Sequence, residues 1–238
     1  MLKIKKYLSE MYCAAEELNT QNVISAIKRT GNHSIILDVG CWDGEATKKW
    51  AEAANASKVI GIEPIDRLDI KNSALSRNIE VHNLLADKDI WDIQDSSVDC
   101  VISNQVVEHL TDLDFYFSQA NRVLKPGGYI ITSTNNLSSL HNIFSLILGF
   151  APFDLSNSSS QIGGLGNAFA VHRGERDPRG SSWTHKCVYT TKWLSDWQKL
   201  YGLIYEFHIG AGLYPFPPTL GKYISLYSAF ITIAARKK

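Results

Sequence analysis

The sequence predicts an α/β protein in which a mostly parallel seven-stranded sheet lies between two layers of helices. From residue 31 to 136, short runs rich in β-branched residues alternate with amphipathic segments, a pattern typical of parallel strands joined by crossover helices. Two further apolar runs end the chain with no clear helical segment between them, which predicts an antiparallel hairpin at one edge of the sheet. With 238 residues, of which 45% are hydrophobic, the chain can build one substantial core.

Five parallel strands are predicted in the first part of the chain, because five β-rich runs each end in turn-forming or polar residues. They are residues 34–40, 58–63, 79–85, 98–104 and 128–134. Helices are predicted between them at residues 45–54, 66–76 and 113–124. In the last of these, Leu113, Phe117 and Ala120 fall on one face at helical spacing, and the KPGG sequence that follows ends the helix.

The remaining segments complete a single predicted domain of residues 1–238, in which residues 1–30 form a helix or a pair of helices. Residues 137–184 break the periodicity and predict a cap or lid, because long insertions in compact domains are typically lids or binding loops; a mobile surface excursion is the alternative. Within the insertion, the apolar run 143–153 is interpreted as a buried helix, and contact with a membrane or a lipid tail is the alternative. A last helix at residues 191–201 and the two late strands, 204–209 and 228–235, follow.

Composition and charge argue against several classes of protein. The 24 basic side chains balance 24 acidic ones, so no basic field would attract nucleic acid. The most apolar stretch, residues 143–153, is far shorter than the roughly 20 residues of a transmembrane helix, and the first residues lack the apolar run of a signal peptide. The four cysteines are widely spaced and form no CxxC pair, which favours a reducing compartment and a cytoplasmic protein.

Ligands of an open parallel sheet bind beyond the carboxyl ends of its strands, so the residues at those ends are candidates for function. The first strand ends in Asp38 and runs into a turn that contains Gly40, Cys41, Trp42 and Gly44. Glycines allow the backbone to approach a ligand closely, and the helix that follows offers unpaired N–H groups to an anion such as a carboxylate. This turn is therefore a candidate ligand-binding loop.

Polar residues at the ends of the next strands indicate a nucleoside. Glu63, followed by Pro64, ends the second strand, where a carboxylate can accept hydrogen bonds from both hydroxyls of a ribose. Asp87, followed by Lys88, comes after the third strand and is placed to accept from an adenine amino group, while Asn104 ends the fourth strand. Taken singly, these features have simpler explanations as a common turn, a helix cap or a solvated loop residue. Their combination favours a nucleoside.

The charge of the residues at these strand ends distinguishes between cofactors. Asp38, Asp43, Glu63 and Asp87 supply four carboxylates, which only Lys88 opposes in the adjoining segments. The two phosphates of a dinucleotide would lie beside these carboxylates at a cost on the order of a few kcal/mol. The turn also has GxxxG spacing and lacks the GxGxxG of dinucleotide-binding proteins. A positively charged cofactor is therefore favoured over NAD.

These motifs resemble those of class I S-adenosylmethionine-dependent methyltransferases of the small-molecule branch. ILDVGCWDGEAT is similar to the family's glycine-rich first motif, and VIGIEP to its second. LADKDIWDIQDSSVDCVISNQVVEHL resembles the third and fourth motifs, and RVLKPGGYIITSTNN the helix and fifth strand that follow. The resemblance covers roughly residues 34–136 and implies a Rossmann-like fold with S-adenosyl-L-methionine as the cofactor.

The resemblance also implies roles for individual residues. Asp38 and the backbone of residues 40–44 would hold the methionine part of the cofactor, Glu63 the ribose and Asp87 the adenine amino group. Asn104 would line the cofactor near its methionine end. The sequence departs from the family at Trp42, which stands where most members have the middle glycine of the turn.

A weaker resemblance concerns the methyl acceptor. TNNLSSLHNIFSLILGFAPF, HKCVYTTKWLSDWQKLYG and GAGLYPFPP are similar to segments of members thought to act on glycans, glycolipids or glycosylated metabolites. This implies methyl transfer to a small-molecule acceptor, a hydroxyl of a saccharide or glycoconjugate. An NAD-type oxidoreductase and a cofactor-binding but inactive partner subunit are the alternatives, while nitrogen transfer and the oligomeric state stay open.

A hydroxyl acceptor benefits from a general base, and histidine is suited to that role. His109 follows Glu108 just past the fourth strand and is the first candidate, although it could instead cap or pack the next helix. His141, after the fifth strand, and His185, ahead of the Trp-rich helix, are further candidates. Some members of the family that the chain resembles use an acidic cluster that includes the EH pair to hold a divalent metal, but here Gln105 stands where that cluster would want a carboxylate. Glu108 and His109 alone are too few ligands for an octahedral site, so no metal is predicted.

Overall fold

The computed structural model describes residues 2–64, 68–156, 158, 160, 162–170, 173–176 and 184–238. The helices are α1 (Leu2–Thr30), α2 (Glu45–Ala54), α3 (Leu68–Ser76), α4 (Leu113–Val123), α5 (Leu140–Ile147) and α6 (Thr191–Leu200). The strands are β1 (Ile35–Val39), β2 (Lys58–Ile62), β3 (Glu80–His82), β4 (Val98–Asn104), β5 (Leu124–Asn135), β6 (Leu203–Ala211) and β7 (Phe230–Lys237). Each helix and strand predicted from the sequence has a counterpart, but α5 ends at Ile147, so residues 148–153 of the predicted helix 143–153 are not helical. Residues 66 and 67 of the predicted helix 66–76 lie outside the described residues.

The strands form one sheet in the order β3-β2-β1-β4-β5-β7-β6. β1 pairs in parallel with β2 and with β4, and the β2–β3 and β4–β5 pairs are also parallel. β7 lies between β5 and the edge strand β6. The predicted fold, a Rossmann-like and mostly parallel seven-stranded sheet with antiparallel strands at one edge, is confirmed.

The register brings the carboxyl ends of the central strands to one level. Val39, at the end of β1, pairs with Ile62 at the end of β2 and with Ser103 of β4. Ile62 in turn pairs with His82, the last residue of β3. The residues that follow these strands therefore leave the sheet at the same edge, as an open parallel sheet requires for a shared ligand site.

β3 is shorter than the predicted strand, which extends from residue 79 to 85. The backbone N–H of Leu85 donates to Asp89 Oδ2 at 2.7 Å, within a turn in which Lys88 N and Asp89 N both donate to the carbonyl of Leu85. Because this turn uses the backbone groups that a strand would offer to its neighbour, the ladder ends at His82.

The chain divides into two compact units. The sheet unit consists of Val23–Ser133, Ser195–Phe207 and Ile233–Lys238, and the accessory unit consists of Met1–Asn22, Thr134–Leu194 and His208–Thr232.

In the sheet unit, the strands are buried on both faces, as expected when helices cover a parallel sheet. Fully buried strand residues include Ile36, Leu37, Ile102, Ile130 and Ile131. The amphipathic helices α2 and α4 bury Trp50 and Phe117. Asp112 caps α4, because its Oδ1 accepts a hydrogen bond from the N–H of Phe115 at 2.8 Å.

The accessory unit has a small apolar cluster and a network of side-chain hydrogen bonds to the backbone. Ala15, Ala211, Ala229 and Phe230 form the cluster, against which Leu18 and Tyr214 pack. Asn136 donates to the carbonyls of Leu226 and Ser228 at 2.9 and 2.8 Å. Asn167 donates to Ser145 Oγ and to the carbonyl of Ala151, both at 2.8 Å, and so holds the described part of the insertion to α5.

The interpretation of residues 143–153 as a buried helix is wrong for α5. Phe144, Leu146, Ile147 and Leu148 are 45–77% exposed. The side chains of α5 that are buried are polar, because hydrogen bonds in the accessory unit satisfy them. None of the helices in the described part of the chain combines the length and apolar character needed to cross a bilayer.

Candidate functional site

The glycine-rich turn after β1 adopts a backbone that only glycine accommodates at two positions. Gly40 and Gly44 both have φ of 81°. A Cβ on Gly40 would lie 2.4 Å from Val106 Cγ2, and one on Gly44 would lie 2.4 Å from Ile79 Cδ1. Gly40 N also donates to the carbonyl of Ile62 at 2.8 Å, which ties the turn to the end of β2. Conformation and close packing therefore both require these glycines.

Cys41 and Trp42 lie between the two glycines and contribute differently. The Cys41 side chain is buried, so its backbone is the part that could meet a ligand. Trp42 has φ of 45°, in the left-handed region, and its N–H donates to Glu63 Oε2 at 3.0 Å. Its side chain is 41% exposed. Glycine adopts a left-handed backbone without steric strain, whereas a residue with a Cβ, such as Trp42, lowers the stability of the fold by about 1 kcal/mol there.

Asp38 is buried at the end of β1, where its Oδ2 accepts a hydrogen bond from Thr47 Oγ1 at 2.6 Å. Burial raises the pKa of Asp38 to about 7; the bond from Thr47 opposes this rise, and the nearby charge of Glu63 adds to it. The sequence prediction missed Thr47, which lies in the first turns of α2 and points back to the strand.

Glu63 leaves β2 at the same level and is partly buried. Burial raises the pKa of this carboxyl, while the hydrogen bond from Trp42 lowers it in part. Pro64 follows and is exposed. Asp38 and Glu63 are thus two neighbouring carboxyls in an environment that penalises their ionised forms. A cation or several hydroxyl donors would relieve that penalty.

Asp87 is buried and held by one residue. Its Oδ2 accepts from both the N–H and the Oγ1 of Thr111, each at 2.7 Å. Burial opposes ionisation, but the hydrogen bonds from Thr111 outweigh it and lower the pKa of Asp87. Lys88 is exposed and contributes a smaller favourable charge. Thr111 was also missed, because nothing in its local sequence signals a partner 24 residues earlier.

The fourth strand ends in Asn104, which pairs with Ser133 of β5 and is partly buried. Gln105 follows with φ of 56° and donates its N–H to the carbonyl of Ser133 at 2.8 Å. His109 then lies in the 3₁₀ turn Val107–His109. It does not cap α4, since Asp112 does.

The other two histidine candidates lie in the accessory unit, and both contact Asp154. His141 Nε2 is 3.2 Å from Asp154 Oδ2, and His185 Nδ1 is 2.5 Å from the carbonyl oxygen of Asp154. Asp154 was not predicted as a site residue. Its signal in the sequence is a lone carboxylate that ends the apolar run GFAPFD.

Comparison with known proteins identifies relatives of part of the chain. Residues 37–132 match a family described as "Methyltransferase domain". The chain is 31% identical over 120 residues to the human mitochondrial ubiquinone biosynthesis O-methyltransferase, a match that covers 47% of this chain and 31% of that protein. It is also 31% identical over 108 residues to the malonyl-[acyl-carrier protein] O-methyltransferase of Serratia marcescens, covering 45% of this chain and 41% of that protein. The chain therefore spans less than half the length of these curated relatives.

Solved structures share the fold over nearly the whole chain. An S-adenosylmethionine-dependent methyltransferase from Mesorhizobium loti superposes with a TM-score of 0.60 at 17% identity, covering 95% of this chain and all of that one. At this identity the likeness shows the fold alone. The match to the methyltransferase family is confined to residues 37–132.

Proposed function

We propose that this chain transfers a methyl group from S-adenosylmethionine to a hydroxyl of a small molecule, a saccharide or glycoconjugate. The observation that carries the proposal is a pair of carboxyls, the buried Asp38 and the partly buried Glu63, on either side of a glycine turn whose backbone is constrained at Gly40 and Gly44. A cationic nucleoside is the ligand class that such a pair favours, because its positive charge and ribose hydroxyls would offset the cost of burying two charges.

The polar groups of the site fit the parts of this cofactor. Asp38 and the backbone of residues 40–44 would hold its methionine part, and Glu63 would accept from the ribose hydroxyls. Asp87, whose Oδ2 is occupied by Thr111, would use Oδ1 to accept from the adenine amino group. Asn104 would lie near the methionine end. When bound, the cofactor supplies an electrophilic methyl group on a sulfonium.

The same carboxyls disfavour the NAD alternative. A pyrophosphate would place negative charge beside Asp38 and Glu63, whose ionised forms are already penalised by burial. Two like charges a few Å apart repel each other by on the order of a few kcal/mol even at an intermediate dielectric. A sulfonium has the opposite charge and gains from the same groups.

Oxygen is the acceptor atom we favour. The human and Serratia relatives are both named as O-methyltransferases. A hydroxyl is a weak nucleophile at neutral pH, so a base that takes its proton during attack contributes to the rate. His109, His141 and His185 are the candidates. The choice of a saccharide or glycoconjugate as the acceptor is based on the resemblance of the segments after residue 133.

We also propose a cytoplasmic location, with which the free thiols of all four cysteines are compatible.

Calorimetric and thermal-shift binding measurements test the cofactor directly. S-adenosylhomocysteine at about 100 times its dissociation constant should stabilise the protein by about 2.7 kcal/mol, whereas NADH should leave the melting temperature unchanged. Glu63→Gln should weaken S-adenosylhomocysteine binding about 10- to 100-fold, because it removes charge-assisted hydrogen bonds to the ribose.

The matched control is Glu80→Gln, on the neighbouring strand. Glu80 is exposed and pairs with Lys58 at 2.9 Å, so this substitution should not change the affinity. Stabilisation by NADH with none by S-adenosylhomocysteine would overturn the proposal. Transfer of a labelled methyl group to a panel of sugars, nucleotide sugars and lipid-linked glycans then tests the acceptor class.

A further inference from the structure

Helix α5 exposes its apolar side and buries its polar side in the accessory unit. Asn142 and Ser145 are fully buried, whereas Phe144 and Ile147 on the same helix are 54% and 77% exposed. A surface helix in water normally has the opposite arrangement, with its apolar residues against the core and its polar residues outside. The arrangement of α5 therefore suits a helix whose outer side meets an apolar medium.

The exposed side of α5 continues onto the loop of residues 163–170. The ring of Phe169 lies 6.3 Å from that of Phe144 and 5.4 Å from that of Phe150, measured between centroids. Hydrogen bonds from Asn167 hold this loop against α5. The large apolar side chains that are 45–77% exposed on α5, on the residue after it and on this loop are here called the outer patch: Phe144, Leu146, Ile147, Leu148, Leu165 and Phe169.

The backbone that follows α5 has its N–H groups bonded within the protein. Those of residues 148–151 all donate to backbone carbonyls at 2.9–3.2 Å. Pro152 has no N–H group, and the N–H of Phe153 donates to Asn142 Oδ1 at 2.8 Å. Irregular backbone is tolerated beside an apolar medium only when its polar groups are satisfied internally. The N–H groups of residues 148–153 meet this condition.

The charges around the outer patch are few and mostly positive. Residues 137–153, which include α5, contain no Asp, Glu, Lys or Arg. The loop that includes Phe169 is followed by Arg173 and Arg176, both exposed, with the exposed Glu175 between them. This border has one positive charge in excess, which attracts anionic lipid head groups.

A second copy of the chain is the alternative occupant of the outer patch. Half-exposed side chains of this size each present on the order of 100 Å², so the six together present about 600 Å². A stable protein complex buries about 800 Å² on each partner and makes about one hydrogen bond per 100–200 Å². The patch is smaller than this, and its polar neighbours Asn142, Ser145 and Asn167 are bonded inward. A lipid bilayer requires neither the larger area nor the hydrogen bonds.

We propose that the outer patch binds the interfacial layer of a lipid bilayer, with anionic head groups beside Arg173 and Arg176. α5 has eight residues and is about 12 Å long, so it lies in the plane of the surface with its apolar side chains among the upper parts of the acyl chains. The inference goes beyond the proposed methyl transfer and does not depend on it.

Flotation of the whole chain with lipid vesicles tests the proposal. The wild-type protein should float with vesicles made of equal amounts of phosphatidylcholine and phosphatidylglycerol, and less with phosphatidylcholine alone. Ile147→Asp should lower the partition coefficient about 10- to 100-fold, because it removes an apolar side chain from the bilayer and adds a negative charge. Leu200→Asp is the matched control. Leu200 is 78% exposed but belongs to the sheet unit, so its substitution should change partitioning by less than about twofold.

Hydrogen exchange of the wild-type protein gives a second test that needs no variant. Vesicles that contain phosphatidylglycerol should slow exchange in the peptides that span residues 142–150 and 163–170, because the bilayer limits access of water to them. Exchange in α2, in the sheet unit, should stay the same. Slower exchange elsewhere with no change in these two peptides would overturn the proposal.

The other outcomes are equally decisive. No flotation with either kind of vesicle, or equal losses in Ile147→Asp and Leu200→Asp, would overturn the proposal. Equal flotation with both kinds of vesicle would overturn the role of the two arginines. Sedimentation velocity examines the alternative occupant: a wild-type dimer that Ile147→Asp converts to a monomer would assign the outer patch to an interface between copies and overturn the proposal.

Discussion

The sheet unit and the accessory unit place polar groups by different rules. In the sheet unit, Asp38, Glu63 and Asp87 follow strands at one edge of a parallel sheet, so topology and register alone put them in one region. In the accessory unit, His141 and Asp154 meet inside a helix and loop whose apolar residues face outward. The difference teaches that strand order and register can bring polar groups together in a sheet, whereas the polar groups of the accessory unit are brought together by local hydrogen bonds.

The strongest test of this comparison is on the backbone of the glycine turn. Gly40→Ala should destabilise the protein by about 3 kcal/mol, because its Cβ would meet Val106 Cγ2 at 2.4 Å in a left-handed backbone. Gly31→Ala is the matched control: its φ is 108°, but no atom lies within 4 Å of the added Cβ. It should cost about 1 kcal/mol. Equal losses in urea unfolding would show that packing against Val106 does not constrain the turn.

In the accessory unit, the polar side of α5 should matter more than its apolar side. Asn142→Ala should cost about 2 to 3 kcal/mol, since it removes bonds to Asp154, to the carbonyl of Asn136 and from the N–H of Phe153. Ile147→Ala, on the exposed side, should change stability by less than about 0.5 kcal/mol. The reverse order in thermal unfolding would contradict the inward orientation of the polar side.

In the sheet unit, the buried carboxyl of Asp38 should lower the stability of the ligand-free protein and strengthen cofactor binding. Its folded pKa of about 7 exceeds its unfolded value, so the folded state binds more protons and its stability falls as pH rises toward and through 7. At pH 8, Asp38→Asn should therefore be more stable than wild type without ligand, by on the order of 2 kcal/mol, and this advantage should shrink toward pH 4.

The same variant should bind S-adenosylmethionine more weakly than wild type at pH 8. Melting curves from pH 4 to 8 and calorimetry measure both effects. If Asp38→Asn is less stable than wild type at pH 8, the buried, ionised carboxylate does not destabilise the folded protein as we infer.

The smallest effect is expected at Trp42. Trp42→Gly removes the left-handed strain but adds chain entropy to the unfolded state, so the net change in stability should stay within about 1 kcal/mol. S-adenosylhomocysteine affinity should stay within about threefold of wild type, since the backbone N–H to Glu63 is kept. A much larger loss of affinity would assign the indole itself to the site.

Periodicity predicts the sheet well because a parallel strand buried on both faces has an unmistakable apolar run, and strand order then determines which residues share an edge. That is why Asp38, Glu63, Asp87 and Asn104 could be singled out before their surroundings were known. Thr47 and Thr111, which hold two of these carboxylates, could not, since a hydroxyl on a helix or loop has many equivalent partners in sequence.

Periodicity does not predict which side chains of the accessory unit are buried. The apolar run at residues 143–153 predicts a buried helix, but the burial of α5 is decided by the hydrogen bonds of His141 and Asn142 with Asp154. These contacts are 13 and 12 residues apart in the chain and follow no helical or strand period. Hydrogen-bond networks of this kind depend on loop geometry, which sequence patterns do not encode.

A crystal structure with S-adenosylhomocysteine tests the central claim most directly. We expect its ribose hydroxyls within hydrogen-bond distance of the Glu63 carboxylate and its adenine amino group against Asp87 Oδ1. A nucleoside bound elsewhere on the chain, or crystals that take up none at saturating concentration, would contradict the account.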